Sequence, residues 1–116
     1  MENLDTKNYE NIARERSLND ALRKFRLGGE IACTDAIYNL SKPDFMAVLR
    51  AVREYNKFDD ELRPNNEHNY GVLTVNGHMI SWVVRMQDVE LEFPYFNVAP
   101  LNTEVRVLLI MLAEEY

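Results

Sequence analysis

Two residues, Asn76-Gly77, separate the β-rich run 70–75 from the run 78–86. A two-residue connection between antiparallel strands works when both residues take positive φ, because only then does the turn follow the strand twist; glycine does this freely and asparagine tolerates it. The pair therefore predicts a β-hairpin. A lone hairpin is marginal in water, so the rest of the chain has to cover it with a further strand or with helices.

The residues on either side supply candidates for that cover. After Met86-Gln87, the stretch 88–93 alternates strictly, with Asp88, Glu90 and Glu92 in one phase and Val89, Leu91 and Phe93 in the other. That period of two predicts a third antiparallel strand, ended by Pro94. A loop through Asn102 and a helix over 103–116 are expected next, the helix resting on Val105, Leu108, Leu109, Met111, Leu112 and Tyr116. Upstream, Ser41-Lys42-Pro43-Asp44 reads as a helix start. Serine can cap, proline fits the first turn, and aspartate favours the positive helix end. Phe45, Val48, Leu49, Val52 and Tyr55 then form one apolar stripe. An earlier helix is expected along Ile12, Ala13, Leu18, Leu22, Phe25 and Leu27, stopping at Gly28-Gly29, with residues 1–11 polar enough to fray. Residues 30–33 form a short strand candidate, followed by a brief helical turn capped by Thr34 or Asp35. The polar stretch 57–69 predicts a surface loop. The expected fold is a single α+β domain spanning 1–116. It holds three or four antiparallel strands, a hairpin at Asn76-Gly77, and two or three helices packed on the sheet.

With 116 residues and 47% hydrophobic residues, the chain has enough apolar material for one core. No apolar run approaches the roughly 18 residues of a membrane span, and the first residues lack the form of a secretory signal, so a cytoplasmic location is expected. The lone Cys33 cannot form an intrachain disulfide and reads as a small core residue. The net charge of −6 is unevenly spread. Residues 1–57 hold 9 acids and 10 bases, whereas residues 58–116 hold 10 acids against Arg63, Arg85 and Arg106. An acidic chain argues against direct binding to nucleic acid or an anionic membrane.

Glu67-His68 places an imidazole beside a carboxylate, a pairing that general acid–base chemistry can use in a small hydrolase or nucleotide-modifying enzyme. The structural alternative is that these residues fix the loop ahead of the hairpin. His68, His78 and Cys33 are the only nitrogen or sulfur metal-ligand candidates, carboxylates lack a calcium-loop spacing, and no phosphate or dinucleotide loop occurs, so no metal or cofactor is expected. Asp88, Glu90 and Glu92, at about 6.6 to 6.8 Å intervals along one strand face, form a row of negative charge that would fit a basic groove on a protein or nucleoprotein. The alternative is a solvated sheet edge protected from aggregation. Tyr95 and Phe96, in the loop after Pro94, are candidate apolar anchors for the same partner, while Trp82 reads as core. The bases of the first helix are interleaved with acids and read as a solvated face.

Several runs together resemble an uncharacterised bacterial family whose members are common on plasmids and prophages. They are Leu18-Asn19-Asp20-Ala21-Leu22-Arg23, Gly28-Gly29 with Thr34, Glu67-His68-Asn69-Tyr70-Gly71, Trp82, and the closing run 106–116. The resemblance covers 12–116, and the closing run is its most specific part. It implies no activity. After the tryptophan, members of the family usually carry Lys-Ile-Asp-Tyr-Tyr-Asp. Here Val83, Val84, Arg85, Met86, Gln87 and Asp88 stand, so only Asp88 keeps the pattern. In general character the chain is similar to phage proteins that block host defences such as CRISPR effectors, an analogy that implies occlusion of a basic nucleic-acid channel. The expected function is therefore inhibition of a host defence nucleoprotein, as an anti-CRISPR protein, through the acidic C-terminal half. A homodimer formed at the hairpin edge is a third reading.

Overall fold

The hairpin forms where Asn76-Gly77 requires it. The structure, a computed structural model, describes the backbone of residues 4–58, 66–91 and 101–116, and the side chains of 10–58, 66–88 and 103–116. Strand β2 (Tyr70–Val75) pairs antiparallel with β3 (His78–Leu91), starting at Val75 opposite His78. Asn76 and Gly77 have φ of 49° and 85°, both positive as the two-residue turn demands.

Strand β3 does not stop at Met86-Gln87. It runs unbroken for 14 residues, so the expected separate strand over 88–93 is, as far as Leu91, its far end. Neither Met86 nor Gln87 is a turn former, and nothing there breaks the period of two. The strand beside it is instead β4 (Leu101–Leu112), from Ile80 opposite Leu112 to Leu91 opposite Leu101.

This corrects the helix expected over 103–116, which is a strand as far as Leu112 and then a short 3-10 turn (Ala113–Glu115). The run Val-Arg-Val-Leu-Leu-Ile-Met-Leu is apolar in both phases and fits either period. Burial decides. Leu108 and Ile110 face the helices and are fully buried, while Met111 is buried on the opposite face. Both faces are at least partly covered, with Val107 and Leu109 half-buried beside Met111, so apolar residues fall in both phases, and Thr103, Val105, Val107 and Ile110 are β-branched. On its other edge β4 pairs in parallel with β1 (Glu30–Cys33), giving the order β1-β4-β3-β2 in a mixed sheet.

The helices are α1 (Leu4–Phe25), the single turn α2 (Asp35–Tyr38) and α3 (Lys42–Glu54). In α3, Ser41 Oγ accepts the Asp44 N–H at 3.3 Å, and Val48 and Val52 turn inward as the stripe predicts. In α1 the buried face differs from the expected stripe. Leu22 is buried, but so are the polar Asn19 and Arg23, whereas Leu18, Phe25 and Leu27 are exposed. One core joins Leu22, Ile37, Val48 and Val52 from the helices to Ile80, Trp82, Leu108 and Ile110 from the sheet. Full burial of each large apolar side chain contributes roughly 1.5–3 kcal/mol. Trp82 owes its place to Gly71, directly opposite on β2, since a Cβ there would overlap the indole ring.

Candidate functional site

Two features gather polar residues in unusual settings. The first is a buried cluster where α1 meets the loop ahead of β2. Asn19 and Asp20 each precede Arg23 by about one turn of α1, four and three residues, so both neighbour it on the helix surface. The Arg23 side chain is 1% exposed. Its Nη1 donates to the carbonyls of Val52 (3.1 Å), Arg53 (3.1 Å) and Tyr55 (2.8 Å) at the C-terminal end of α3. There it meets carbonyls of the last helical turn, of which that of Val52 also accepts the Tyr55 N–H, and the negative pole of the helix. Its Nη2 donates to Asp20 Oδ1 at 3.2 Å, and its guanidinium carbon sits 5.2 Å from the ring centroids of both Phe58 and Trp82. Burial draws the Arg23 pKa below its ordinary value, a shift that the hydrogen bond and charge of Asp20 oppose.

Asp20 is shared. Its two oxygens lie 3.0 and 3.1 Å from His68 Nδ1. His68 has a φ of 56°, its N–H donates to Asn66 Oδ1 at 2.9 Å, and its ring stacks on Phe58 with centroids 3.7 Å apart. Asn19 donates to the Glu67 carbonyl at 3.0 Å and accepts from Arg106 Nη1, which also reaches Glu15 Oε1 at 2.9 Å. Loop, helix and sheet are thus tied at one joint.

The sequence pairs His68 with its neighbour Glu67, but the structure pairs it with Asp20, and the described contact of Glu67 in this joint is made by its backbone. His68 is buried, and neither residue lines any of the cavities described along α1, β2, β3 or β4. The arrangement can fix an imidazole tautomer and hold a loop. Asp20, Arg23 and Phe58 were not legible as its partners, although Glu15, Asn19 and Arg23, spaced four residues apart along one helix, hint at an internal polar row.

The second feature is the far half of the β3–β4 ribbon. Asp88 stands directly opposite Glu104, and both are exposed. Their register puts them in the phase of Ile80, Trp82 and Val84, so the acidic row continues the helix-facing side of the sheet. Carboxylates directly opposite repel, and the diagonal neighbour in reach is Arg106, which is already engaged by Glu15 and Asn19. Among the described residues neither Asp88 nor Glu104 has an ion-pair partner. Glu90 pairs with Asn102 along the backbone, and its side chain lies outside the described residues, as do Glu92, Tyr95 and Phe96 altogether.

Trp82 is fully buried, and Cys33 packs partly buried against the core. Among the described residues no three His, Cys, Asp or Glu side chains converge as a metal site would require, and no helix is long and apolar enough to cross a membrane, which leaves β-barrels unaddressed. A family model described as a protein of unknown function, DUF3768, matches residues 33–115. The match takes in His68, Trp82 and Arg106 and leaves α1 outside. No curated protein and no solved structure matches the chain.

Proposed function

Because this chain belongs to DUF3768, a family of unknown function, its role has to be argued from its own surface, and we propose that it is a cytoplasmic binding module whose β3–β4 ribbon engages a basic groove on a protein or nucleoprotein. The finer reading is a mobile-element inhibitor of a host defence nucleoprotein, of the anti-CRISPR kind, in which the carboxylate row takes the place of nucleic-acid phosphates.

The observation that carries this reading is Asp88 held opposite Glu104, neither with an ion-pair partner among the described residues. Like charges directly opposite on a ladder lower stability, and a cationic partner would turn that loss into attraction. The charge imbalance of residues 58–116 extends the same field and would steer encounter.

The test is binding of the purified chain to guide-loaded CRISPR effector complexes by biolayer interferometry, at low and at physiological salt, beside an inhibition assay of DNA cleavage. The native chain is expected to bind and inhibit. The variant D88K/E104K, altered only at exposed positions, is expected to associate more slowly and with a flatter salt dependence. Absence of binding across the panel removes the anti-CRISPR reading, and equal association by the variant removes the ribbon as the contact surface.

A further inference from the structure

A cavity of about 240 Å³ opens between the end of α1, β1, α3 and β4. Its floor is apolar, made by Ile31, Leu49, Val52 and Leu108. Its rim carries Lys24, Arg26 and Arg53, all exposed and, among the described residues, without an ion-pair partner. The buried Arg23 forms part of its wall, and the Nε–H of that guanidinium has no acceptor. No Asp or Glu is among its lining residues, in a chain whose net charge is −6. Arg26 is also held at a φ of 59°, the left-handed conformation in which glycine is the usual residue at a helix end. Backbone strain of this kind persists where the surroundings over-determine it, and here it sets a cation at the cavity mouth.

From this placement we propose that the cavity is a binding site for a small amphipathic organic anion, with its apolar body on the floor and its carboxylate or phosphate among Lys24, Arg26 and Arg53. The volume lies just under the roughly 300–1,000 Å³ of drug-sized ligand pockets, which suits a short acyl or aryl anion better than a nucleotide. Three rim cations beside an apolar floor, with no carboxylate among the lining residues, favour an amphipathic anion. The site is separate from the β3–β4 ribbon and stands whether or not that surface binds a partner.

The experiment is a titration of the isotopically labelled full chain, followed by backbone amide NMR, with octanoate, octanamide and inorganic phosphate as separate probes. Octanoate is expected to give saturable shifts at residues 23–31 and 49–53. Octanamide and phosphate are each expected to bind at least tenfold more weakly. The exposed-site variant K24E/R26E/R53E is expected to lose at least tenfold in octanoate affinity while keeping its circular dichroism. A second variant, Leu49→Phe, fills the floor and is expected to lose octanoate binding with the rim charges intact. Three results would overturn the proposal: no saturable shift with octanoate, octanamide bound as well as octanoate, or phosphate bound as well as octanoate. The last would leave a bare oxyanion site.

Discussion

Nη1 of Arg23 lies 2.8 Å from the carbonyl oxygen of Tyr55, so a side chain of α1 closes the C-terminal end of α3. The same guanidinium meets Asp20, and through Asp20 it reaches His68. Arg23→Ala would leave Asp20 without its buried cation and remove the side-chain donor from three carbonyls, of which only that of Val52 keeps a described backbone donor, the Tyr55 N–H. A loss of about 3–5 kcal/mol is expected, a large share of the roughly 5–15 kcal/mol that holds a domain together. Urea denaturation followed by the fluorescence of Trp82 measures it. Arg23→Lys is expected to recover only part, since a single ammonium cannot span both the α3 carbonyls and the carboxylate. A loss within 1 kcal/mol for the alanine variant, on the scale of an exposed pair, would show that the joint contributes little.

Gly71 allows the indole of Trp82 to lie against the β2 backbone. A Cβ at this position would come within 2.7 Å of Cε2 and 2.8 Å of Cζ2 of the ring. Gly71→Ala is expected to cost about 1–3 kcal/mol, the usual penalty of overpacking. A lower denaturation midpoint with a shifted tryptophan emission is the expected signature, and an unchanged midpoint would contradict the packing described.

Asp44 links the start of α3 to the hairpin, accepting from Asn76 Nδ2 at 3.0 Å and lying 3.0 Å from His78 Nε2. The hydrogen bond from Asn76, and then that from His78, hold its pKa below the ordinary aspartate value. A carboxyl whose folded-state pKa is depressed contributes stability above its unfolded pKa and loses it as pH falls through the folded one. The link is therefore expected to weaken from about pH 4 downward. Asp44→Asn should flatten that acid limb in thermal denaturation. Parallel acid limbs for the two proteins would show that this carboxylate is not linked to folding.

Burial pushes the Cys33 thiol above its ordinary pKa, so the reactive thiolate is scarce at neutral pH. Iodoacetamide is expected to modify the folded chain much more slowly than the urea-unfolded chain, as measured by mass spectrometry. Equal rates would place the thiol in open solvent.

Where local chemistry decides a structure, the sequence was readable. Asn76-Gly77 specifies its turn through two positive φ values, and Ser41-Lys42-Pro43-Asp44 specifies a helix start through capping and charge. The end of β4 was not readable as a strand, because Leu108, Leu109 and Leu112 fit a helical stripe as well as a strand covered on both faces. The deciding partners, Ile80 to Leu91 and Glu30 to Cys33, are far away in sequence. The buried face of α1 departs from its apolar stripe for a different reason. Apart from the local Arg23–Asp20 pair, burial of Asn19 and Arg23 is offset by acceptors and donors on α3, the 66–68 loop and β4, which no local pattern announces. For the acidic row the alternation of Asp88 and Glu90 was visible, but the opposing Glu104 was hidden in a segment read as helix.

The position of β4 between β1 and β3 also bears on synthesis. As the chain leaves the ribosome, the hairpin and α1, α2 and α3 emerge before the strand that joins β1 to β3. Until residues 101–112 are out, the inner edges of β1 and β3 carry unpaired amides and carbonyls able to recruit other nascent chains. Closure is then a late, long-range event, and a codon-level pause before residue 101 would lengthen the interval in which aggregation competes with it.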